Sequence, residues 1–228
     1  GHKDSYKLKF AAKTALLPSG RYKQWVLASN DDDPSMARNA LTTELGKAVG
    51  MHFQPGYRFV DLYLNDVYQG TYQITDRVKV EEGRALVSGG NKDNDWLVQL
   101  ADNGEVEEEG DVYIPATATT PNIIPKNPDT DDYLGDQTKI DSLTTAMRTW
   151  FNDTLFADME QYANHDQLFA WYIAQEILCT YKGLSAVDVY RSTTASDRTA
   201  YFGPLWDSER SFDNNSKKNK KHILDMSD

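Results

Sequence analysis

The hydrophobic pattern changes its period along the chain, and this change limits the folds that the sequence can adopt. Before residue 80, apolar and polar side chains alternate in the strand period, as in residues 5–10 and 21–28. After residue 135, apolar side chains recur at the helical period, in residues 136–156 and 165–180. The two patterns together predict an α+β fold, with a β-rich first half and a mainly helical second half.

Turn-forming and capping residues divide the first half into elements. A helix is predicted over residues 36–49, because Asn, Asp and Ser residues suited to capping precede it and Gly50 follows it. A β-hairpin is predicted over residues 57–74, because alternating runs flank the turn residues Asn65 and Asp66. The first half is therefore expected to contain strands and one helix.

The remaining sequence predicts a connector and a second lobe. Residues 81–135 contain one clear strand at 96–100 and four prolines spaced through Thr- and Asn-rich sequence, which is typical of surface loop. A late hairpin is predicted over residues 187–206, after the two helices. We therefore expect a β-rich lobe over residues 1–100, a loop-rich connector over 101–135 and a helical lobe over 136–228.

The charge and the cysteine content exclude several classes of protein. The 228 residues carry a formal net charge of −11, which disfavours binding to nucleic acid phosphates and leaves cations, nucleotide–metal complexes and neutral ligands as partners. No apolar run reaches the roughly 18 residues that a membrane span needs. Cys179 is the only cysteine, so no internal disulfide forms, and the four histidines are too scattered for a zinc spacing.

The two ends are typical of a fragment. Gly1-His2 resembles a cleavage remnant, and the chain stops at Ser227-Asp228, beyond a basic stretch, without a helix or strand to finish on. We therefore expect a targeting segment to be missing and the helical lobe to be truncated.

Two pairs of charged residues are candidates for chemistry. Asp207 and Glu209 follow the last predicted strand at positions i and i+2, where both carboxylates can reach a Mg²⁺ ion; the alternative is a solvated turn. Lys7 and Lys9 share one face of the first strand, where an ammonium group can bind nucleotide phosphates; the alternative is an exposed edge charge.

The order of short sequence blocks indicates a family. The chain resembles the spore coat protein H (CotH) kinase family over residues 5–212. The blocks that carry the resemblance are Ser5-Tyr-Lys-Leu-Lys-Phe10, Trp25-Val-Leu-Ala28, Asp33-Pro-Ser-Met-Ala-Arg-Asn39, Phe59-Val-Asp-Leu-Tyr-Leu-Asn65, Tyr68-Gln-Gly-Thr-Tyr72, Thr75-Asp76 and Gly203-Pro-Leu-Trp-Asp207. The resemblance implies an atypical protein-kinase-like fold that binds ATP with Mg²⁺ or Mn²⁺ and transfers the γ-phosphoryl group to Ser or Thr of a protein substrate.

The resemblance also implies roles for individual residues. Lys9 would bind the nucleotide phosphates and act in catalysis, with Lys7 as the open alternative. Asp207 would act in catalysis and hold metal, and Glu209 would hold metal in a position where the family usually has Asp. Asp76 would contribute to nucleotide binding, in a position where the family usually has Glu.

One position departs from the family pattern. Lys182 stands where the family has an acid that accepts the proton of the substrate hydroxyl, and a cation cannot do this. A shift in register would bring Asp188 to the role instead. The departure leaves two interpretations open, an active kinase or a non-catalytic, pseudokinase-like binding or scaffold module of the cell envelope, and both imply an extracytoplasmic or cell-surface location.

A third interpretation rests on the hairpin tyrosines Tyr57, Tyr63, Tyr68 and Tyr72, which would form a stacking surface for sugars. The alternative for these residues is core packing and cross-strand pairing.

Overall fold

The protein combines two antiparallel sheets with helices, which confirms the α+β class. The computed structural model describes residues 3–88, 92–101, 112–118, 120–130, 133, 135–179, 188–192 and 199–212. The strands are β1 (Tyr6–Leu17), β2 (Gly20–Ala28), β3 (Tyr57–Leu64), β4 (Val67–Asp76), β5 (Asp95–Ala101), β6 (Asn122–Asn127), β7 (Asp188–Ser192) and β8 (Tyr201–Phe202). The helices are α1 (Arg38–Ala48), α2 (Gln137–Trp150), α3 (Met159–Tyr162) and α4 (His165–Leu178).

The first sheet has the strand order β1-β2-β4-β3. The hairpin of β3 and β4 turns at Asn65 and Asp66, which both have positive φ angles, 49° and 64°. Two consecutive residues with positive φ match the right-handed twist of the flanking strands, and Asn and Asp tolerate this conformation. The hairpin predicted from the sequence is therefore confirmed.

The two faces of the first sheet differ in character. One face packs a core in which the Trp25 side chain is completely buried and donates from its Nε1 to the carbonyl oxygen of Tyr22 at 3.2 Å. The core residues on this face are Leu17, Tyr22, Trp25, Leu27, Tyr72 and Ile74. The strand register places Lys7, Lys9 and Gln73 on the opposite face, since Lys7 pairs with Val26, Lys9 with Gln24 and Ala28 with Gln73.

The second sheet has the strand order β6-β5-β7-β8. Strand β6 corrects the prediction that its part of the chain is mostly surface loop, because Ile123 and Ile124 are completely buried. Pro125 lies within β6. A proline lacks the N–H that a central strand must donate, and the edge position of β6 accommodates it.

The helices of the second half follow the predicted spans with one irregularity. Helix α2 begins at the Asp136 cap, whose carboxylate accepts from Lys139 N–H, and continues into a π-helical turn over Phe151–Leu155. The Trp150 ring lies 5.5 Å from the Trp96 ring of β5, which packs the end of α2 on the second sheet. The late hairpin is shorter than predicted, because β8 spans two residues.

The chain forms two compact units. The first comprises residues 1–78, 171–181 and 204–228, and the second comprises residues 79–170 and 182–203. The first sheet, α1 and residues 205–211 therefore belong to the same unit. In the part of the chain that the structure describes, no helix is both long enough and apolar enough to span a bilayer.

Candidate functional site

Residues 205–211, here called the acidic loop, carry the two predicted metal ligands. Asp207 has a positive φ angle of 53° and an exposed side chain. A left-handed backbone costs about 1–2 kcal/mol for an ordinary L-residue and is visited most readily by Asn and Asp. Such a conformation persists where neighbouring contacts fix it, so the contacts of the flanking residues decide how well Asp207 is held.

Two side-chain amides hold the acidic loop by its backbone. Gln54 pairs twice with Leu205: its Nε2 donates to the carbonyl oxygen at 2.5 Å, and its Oε1 accepts from the N–H at 3.1 Å. Asn39, the second residue of α1, accepts from the N–H of Ser208 with its Oδ1 at 2.6 Å. The backbone is therefore fixed on both sides of Asp207.

Gly46 on α1 leaves the space that Gln54 occupies. A Cβ atom at position 46 would lie 2.2 Å from Gln54 Oε1. Alanine normally stabilises a helix by about 1 kcal/mol relative to glycine. Here we expect Gly46→Ala to lower the free energy of unfolding by about 1–3 kcal/mol, because Gln54 must move away from Leu205.

Urea unfolding followed by circular dichroism measures this change. Glu44→Ala is the matched control, since Glu44 lies on the same helix with its side chain 55% exposed, and we expect a change within about 0.5 kcal/mol. A Gly46→Ala protein as stable as the wild type, or more stable, would contradict the role given to Gln54.

Asp33 is a buried carboxylate at the start of α1. Its Oδ2 accepts from the N–H of Arg38 at 2.8 Å, and its Oδ1 accepts from the N–H and the hydroxyl of Ser35 at 2.9 and 2.7 Å. The Arg38 guanidinium forms an ion pair with Asp33 Oδ1 and donates from Nε to the Ser211 carbonyl oxygen at 3.0 Å. Asp33 and Arg38 therefore connect the start of α1 to the acidic loop. Asp33 accepts from the first N–H of the helix, but the N-cap position is occupied by Ala37 without a side-chain cap, so Asp33 is not the N-cap residue.

The hydrogen bonds on Asp33 determine its charge state. Burial raises the pKa of Asp33, but the hydrogen bonds from Arg38 and Ser35 and the positive charge of Arg38 outweigh it, so the pKa lies below its ordinary value of 3.8. Asp33 is therefore a charged structural group at neutral pH.

A second connection joins Asp32 to the acidic loop. The Asp32 N–H donates to Glu209 Oε2 at 3.2 Å, and Asp32 Oδ2 accepts from Arg210 Nε at 3.0 Å and Nη2 at 2.7 Å. The hydrogen bond to Asp32 raises the pKa of Arg210. Both side chains of this ion pair are about half exposed, 52% and 49%, so it contributes about 1 kcal/mol at most.

Glu209 lies in a negative environment. Burial raises the pKa of Glu209 above its ordinary value of 4.5, the hydrogen bond from Asp32 opposes the rise, and the negative charges of Asp207, Asp32 and Asp33 add to it. Like charges that disfavour ionisation also favour a cation placed among them. The pKa of Glu209 is therefore raised first by burial and second by the neighbouring carboxylates, while Arg210 and Arg38 pair with Asp32 and Asp33.

The raised pKa of Glu209 predicts a dependence of stability on pH. A carboxyl group with a raised pKa in the folded state contributes stability that is fully present below pH 4.5 and is lost as the pH rises through the folded pKa. Glu209→Gln keeps an oxygen that accepts from Asp32. We therefore expect it to be more stable than the wild type at pH 7, by about 1 kcal/mol at most, with no difference below pH 4.5.

Urea unfolding at a series of pH values from 4 to 7 measures the difference. A Glu209→Gln protein that is less stable than the wild type at pH 7 would show that the charged form of Glu209 stabilises the fold.

Asp207 and Glu209 are the residues of the acidic loop that could hold a divalent cation. Within the described ranges, no group of three or more His, Cys, Asp or Glu side chains is placed to hold a metal ion. Mg²⁺ is usually bound by one or two carboxylates together with phosphate oxygens, and does not require a cage of protein ligands. Asp207 and Glu209 provide carboxylates of this kind.

Lys7 and Lys9 lie on the same face of the first sheet as Gln73. Across the strands, Lys7 pairs with Val26 and Val26 pairs with Thr75. This row of paired residues is next, on the same face, to the row in which Ala28 pairs with Gln73. The row through Lys9 and Gln24 lies one step further away. Lys7 is therefore nearer than Lys9 to Gln73, which is hydrogen-bonded to Asn30 of the β2–α1 loop at 2.9 Å.

Asp76 lies apart from these lysines. It pairs with Trp25 in the register of the sheet and so lies on the core face. Its carboxylate is buried and accepts from the Ser19 hydroxyl at 2.9 Å and from the Gly56 N–H at 2.8 Å. The structure does not bring Asp76 together with Lys7 and Lys9, and its predicted part in nucleotide binding stays a prediction.

Lys182 lies outside the described residues. Asp188, the alternative to the missing acid, begins β7 with its side chain buried and pairs with Gln99 of β5. Its role in catalysis stays a prediction.

The hairpin tyrosines are arranged in two ways. The rings of Tyr63 and Tyr68 contact each other across the strands with centroids 5.2 Å apart, and both side chains are exposed. Tyr72 is buried in the core, and Tyr57 lies on the opposite face of the sheet from it. Cross-strand pairing and core packing, the alternative to a sugar surface, are therefore confirmed for Tyr63, Tyr68 and Tyr72.

The sequence patterns did not indicate the amide residues that support the site. Gln54, Asn30 and Gln73 are polar residues whose contacts span large sequence separations. Gln73 is 2% exposed, although it lies in strand β4, where alternation predicts that polar residues face solvent. Buried polar side chains almost always have a hydrogen-bond partner. The burial of Gln73 is therefore the signal that points to its bond with Asn30, and the sequence alone does not show this burial.

Comparison with known proteins assigns the chain to a family. A search of curated proteins found no match to this chain. The family model described as CotH kinase protein matches residues 1–228, the whole chain. The resemblance seen in the sequence blocks is thereby confirmed, and the chain belongs to the CotH kinase protein family.

Proposed function

We propose that this chain is an atypical, protein-kinase-like domain that binds ATP with Mg²⁺ or Mn²⁺ and transfers the γ-phosphoryl group to Ser or Thr of a protein substrate. The observation that carries the proposal is the acidic loop, in which the Asn39 side chain of α1 accepts from the Ser208 N–H beside Asp207 and the Asp32 N–H of the β2–α1 loop donates to the Glu209 carboxylate. Membership in the CotH kinase protein family supports it. The proposal includes a kinase-like arrangement of lobes over residues 1–100 and 136–228, joined by 101–135, and a location in the cell envelope.

The chain supplies charge of both signs for a nucleotide–metal complex. Asp207 and Glu209 would hold the divalent cation through carboxylate oxygens, and the bound cation would neutralise charge that develops on the phosphate oxygens. An ammonium group on the first sheet, from Lys9 or Lys7, would bind phosphate oxygens as a point charge.

The transfer step requires one more group. The substrate hydroxyl oxygen forms a bond to the γ-phosphorus, the bond from that phosphorus to the β,γ-bridging oxygen breaks, and the hydroxyl proton passes to a base. Lys182 stands at the position where the family has an acid for this purpose. Asp188 is the carboxylate proposed to take the role if the chain is active.

A non-catalytic binding or scaffold module is the second candidate, and the specific observation in its favour is Lys182. A lysine in place of the base removes proton acceptance but leaves Asp207, Glu209 and the strand lysines for nucleotide binding. The two candidates therefore differ in phosphoryl transfer and agree in binding.

Two measurements on the same samples distinguish the candidates. The protein is incubated with γ-labelled ATP, Mn²⁺ and a mixture of Ser- and Thr-containing protein substrates such as casein, and label on protein is counted. Thermal unfolding is followed with and without Mn²⁺ and ATP. Asp207→Asn is the negative control in both.

Each outcome decides between the candidates. Labelling that Asp207→Asn abolishes supports the kinase. A higher unfolding temperature with Mn²⁺ and ATP, without labelling, supports the binding module. The absence of labelling together with an unchanged unfolding temperature would contradict both candidates.

A further inference from the structure

Three side-chain amides form a continuous chain of hydrogen bonds that ends on the acidic loop. Gln73 Oε1 accepts from Asn30 Nδ2 at 2.9 Å, and Asn30 Oδ1 accepts from Asn39 Nδ2 at 2.8 Å. Asn39 Oδ1 then accepts from the N–H of Ser208 at 2.6 Å. Gln73 and Asn30 are 2% and 1% exposed, so water competes little for these bonds.

A single backbone group sets the orientation of all three amides. The N–H of Ser208 can only donate, so Asn39 must present its oxygen to it and its NH₂ group to Asn30. Asn30 must then present its oxygen to Asn39 and its NH₂ group to Gln73 and to the Met36 carbonyl oxygen, 3.3 Å away. Donation therefore runs in one direction along these hydrogen bonds, from the acidic loop to the sheet.

The last bond of the chain acts on the residue between the two candidate metal ligands. Ser208 follows Asp207, whose φ is 53°, and precedes Glu209. Fixing the N–H of Ser208 fixes the peptide group that links it to Asp207, and this limits the directions in which the Asp207 carboxylate can point. Asn39 is anchored in α1, and its partners are anchored on the first sheet and its loop.

We propose that Asn39 is a positioning residue for the nucleotide–metal site: it acts through the Ser208 N–H to hold Asp207 ready for the cation, and Asn30 and Gln73 fix the direction of its amide. The inference rests on the proposed function, since it assigns Asn39 a part in that same site. Loss of groups that orient metal ligands typically weakens metal binding by about 10–100-fold.

Binding of the Mn²⁺–ATP complex, measured from the electron paramagnetic resonance of free Mn²⁺, tests the proposal. We expect Asn39→Ala to weaken binding about tenfold. Asn39→Ser replaces it if the alanine variant does not fold, and we expect the same loss, because the serine hydroxyl is too short to reach both the Ser208 N–H and Asn30 Oδ1. Asn164→Ala is the matched control: Asn164 Oδ1 also accepts one backbone N–H, from Gln167 at 3.0 Å, but at the start of α4. This control should bind like the wild type.

A double-mutant cycle separates positioning from general destabilisation. If Asn39 acts through Asp207, then Asn39→Ala should weaken binding little or not at all in an Asp207→Asn background, whereas its effect should persist in a Lys9→Met background. Circular dichroism confirms that each variant is folded at the temperature of the titration.

The outcomes separate this inference from the proposed function. A wild-type protein that binds Mn²⁺–ATP, with an Asn39→Ala effect that vanishes in the Asp207→Asn background, supports the inference. Equal binding by the wild type and Asn39→Ala, or full additivity with Asp207→Asn, overturns it and leaves the proposed function standing. A wild-type protein that does not bind Mn²⁺–ATP overturns the proposed function, and the inference with it.

Discussion

Replacing Arg38 with Met should lower the free energy of unfolding by about 3 kcal/mol at neutral pH. The Asp33 side chain is completely buried, and Arg38 provides its ion pair. Methionine keeps an apolar stem of similar length but leaves the carboxylate without a cation to compensate its burial. The variant also loses the bond from Arg38 Nε to the Ser211 carbonyl oxygen, so the end of the acidic loop should loosen as well.

The same variant should show a characteristic dependence on pH. The pKa of Asp33 lies below its ordinary value of 3.8, so its stabilising contribution is present above pH 3.8 and is lost as the pH falls through the folded pKa. The difference between the wild type and Arg38→Met should therefore be largest at neutral pH and should shrink in acid. Urea unfolding at several pH values measures it.

Arg210→Met is the matched control for Arg38→Met. Its ion pair with Asp32 is about half exposed, so we expect a loss of about 1 kcal/mol at most. Equal losses from the two variants would show that the burial of Asp33 is not what makes Arg38 important.

Replacing Asp207 with Asn should weaken the binding of Mn²⁺–ATP by about 100-fold, or about 2.7 kcal/mol. The amide keeps the shape of the side chain and tolerates the left-handed backbone of Asp207, so the loop should keep its conformation. The change removes a negative charge that a hard cation requires. Titration with Mn²⁺ and ATP, followed by electron paramagnetic resonance, measures the loss.

Asp66 provides a control with the same chemistry. It has an exposed side chain and a positive φ angle of 64°, but it lies in the turn of the β3–β4 hairpin. Asp66→Asn should bind Mn²⁺–ATP like the wild type. A similar loss in both variants would indicate a general effect of surface charge, and no loss in Asp207→Asn would exclude it as a metal ligand.

The parts of the fold that could be predicted depend on local patterns. The β3–β4 hairpin follows from alternation around Asn65 and Asp66, and both residues supply the turn with positive φ angles. The end of helix α1 follows from Gly50, whose φ is 76°. In these places the neighbours in sequence decide the structure, so the sequence suffices.

Strand β6 could not be predicted from the sequence, because a proline lies within its short apolar run and only its place in the sheet explains why the proline is accepted. Proline within a short run normally argues against a strand. At the edge of the sheet Pro125 is tolerated, and β6 is held by its pairing with β5, 21 to 30 positions earlier in the chain. Edge position is a tertiary property that local patterns do not carry.

The sequence indicates charged residues for the candidate site, whose roles stay predictions, and does not indicate the residues that support the acidic loop. Asp207, Glu209 and the strand lysines follow from family blocks and spacing. Gln54, Asn30 and Gln73 act through bonds to residues 43 to 151 positions away along the chain, and nothing in their local sequence marks them. Asn39 ends one of the sequence blocks that resemble the family, and the structure places its side chain against the Ser208 N–H.

The location of the bound nucleotide–metal complex is what the proposal depends on, and paramagnetic broadening measures it. Mn²⁺–ATP is added in small amounts to isotope-labelled protein, and the backbone amide resonances are followed by NMR. We predict that the amides of residues 207–210 and of Asp32 and Asp33 broaden first, and that Asp207→Asn removes the effect. Broadening that leaves these residues unchanged and falls on other acidic segments would contradict the site proposed here.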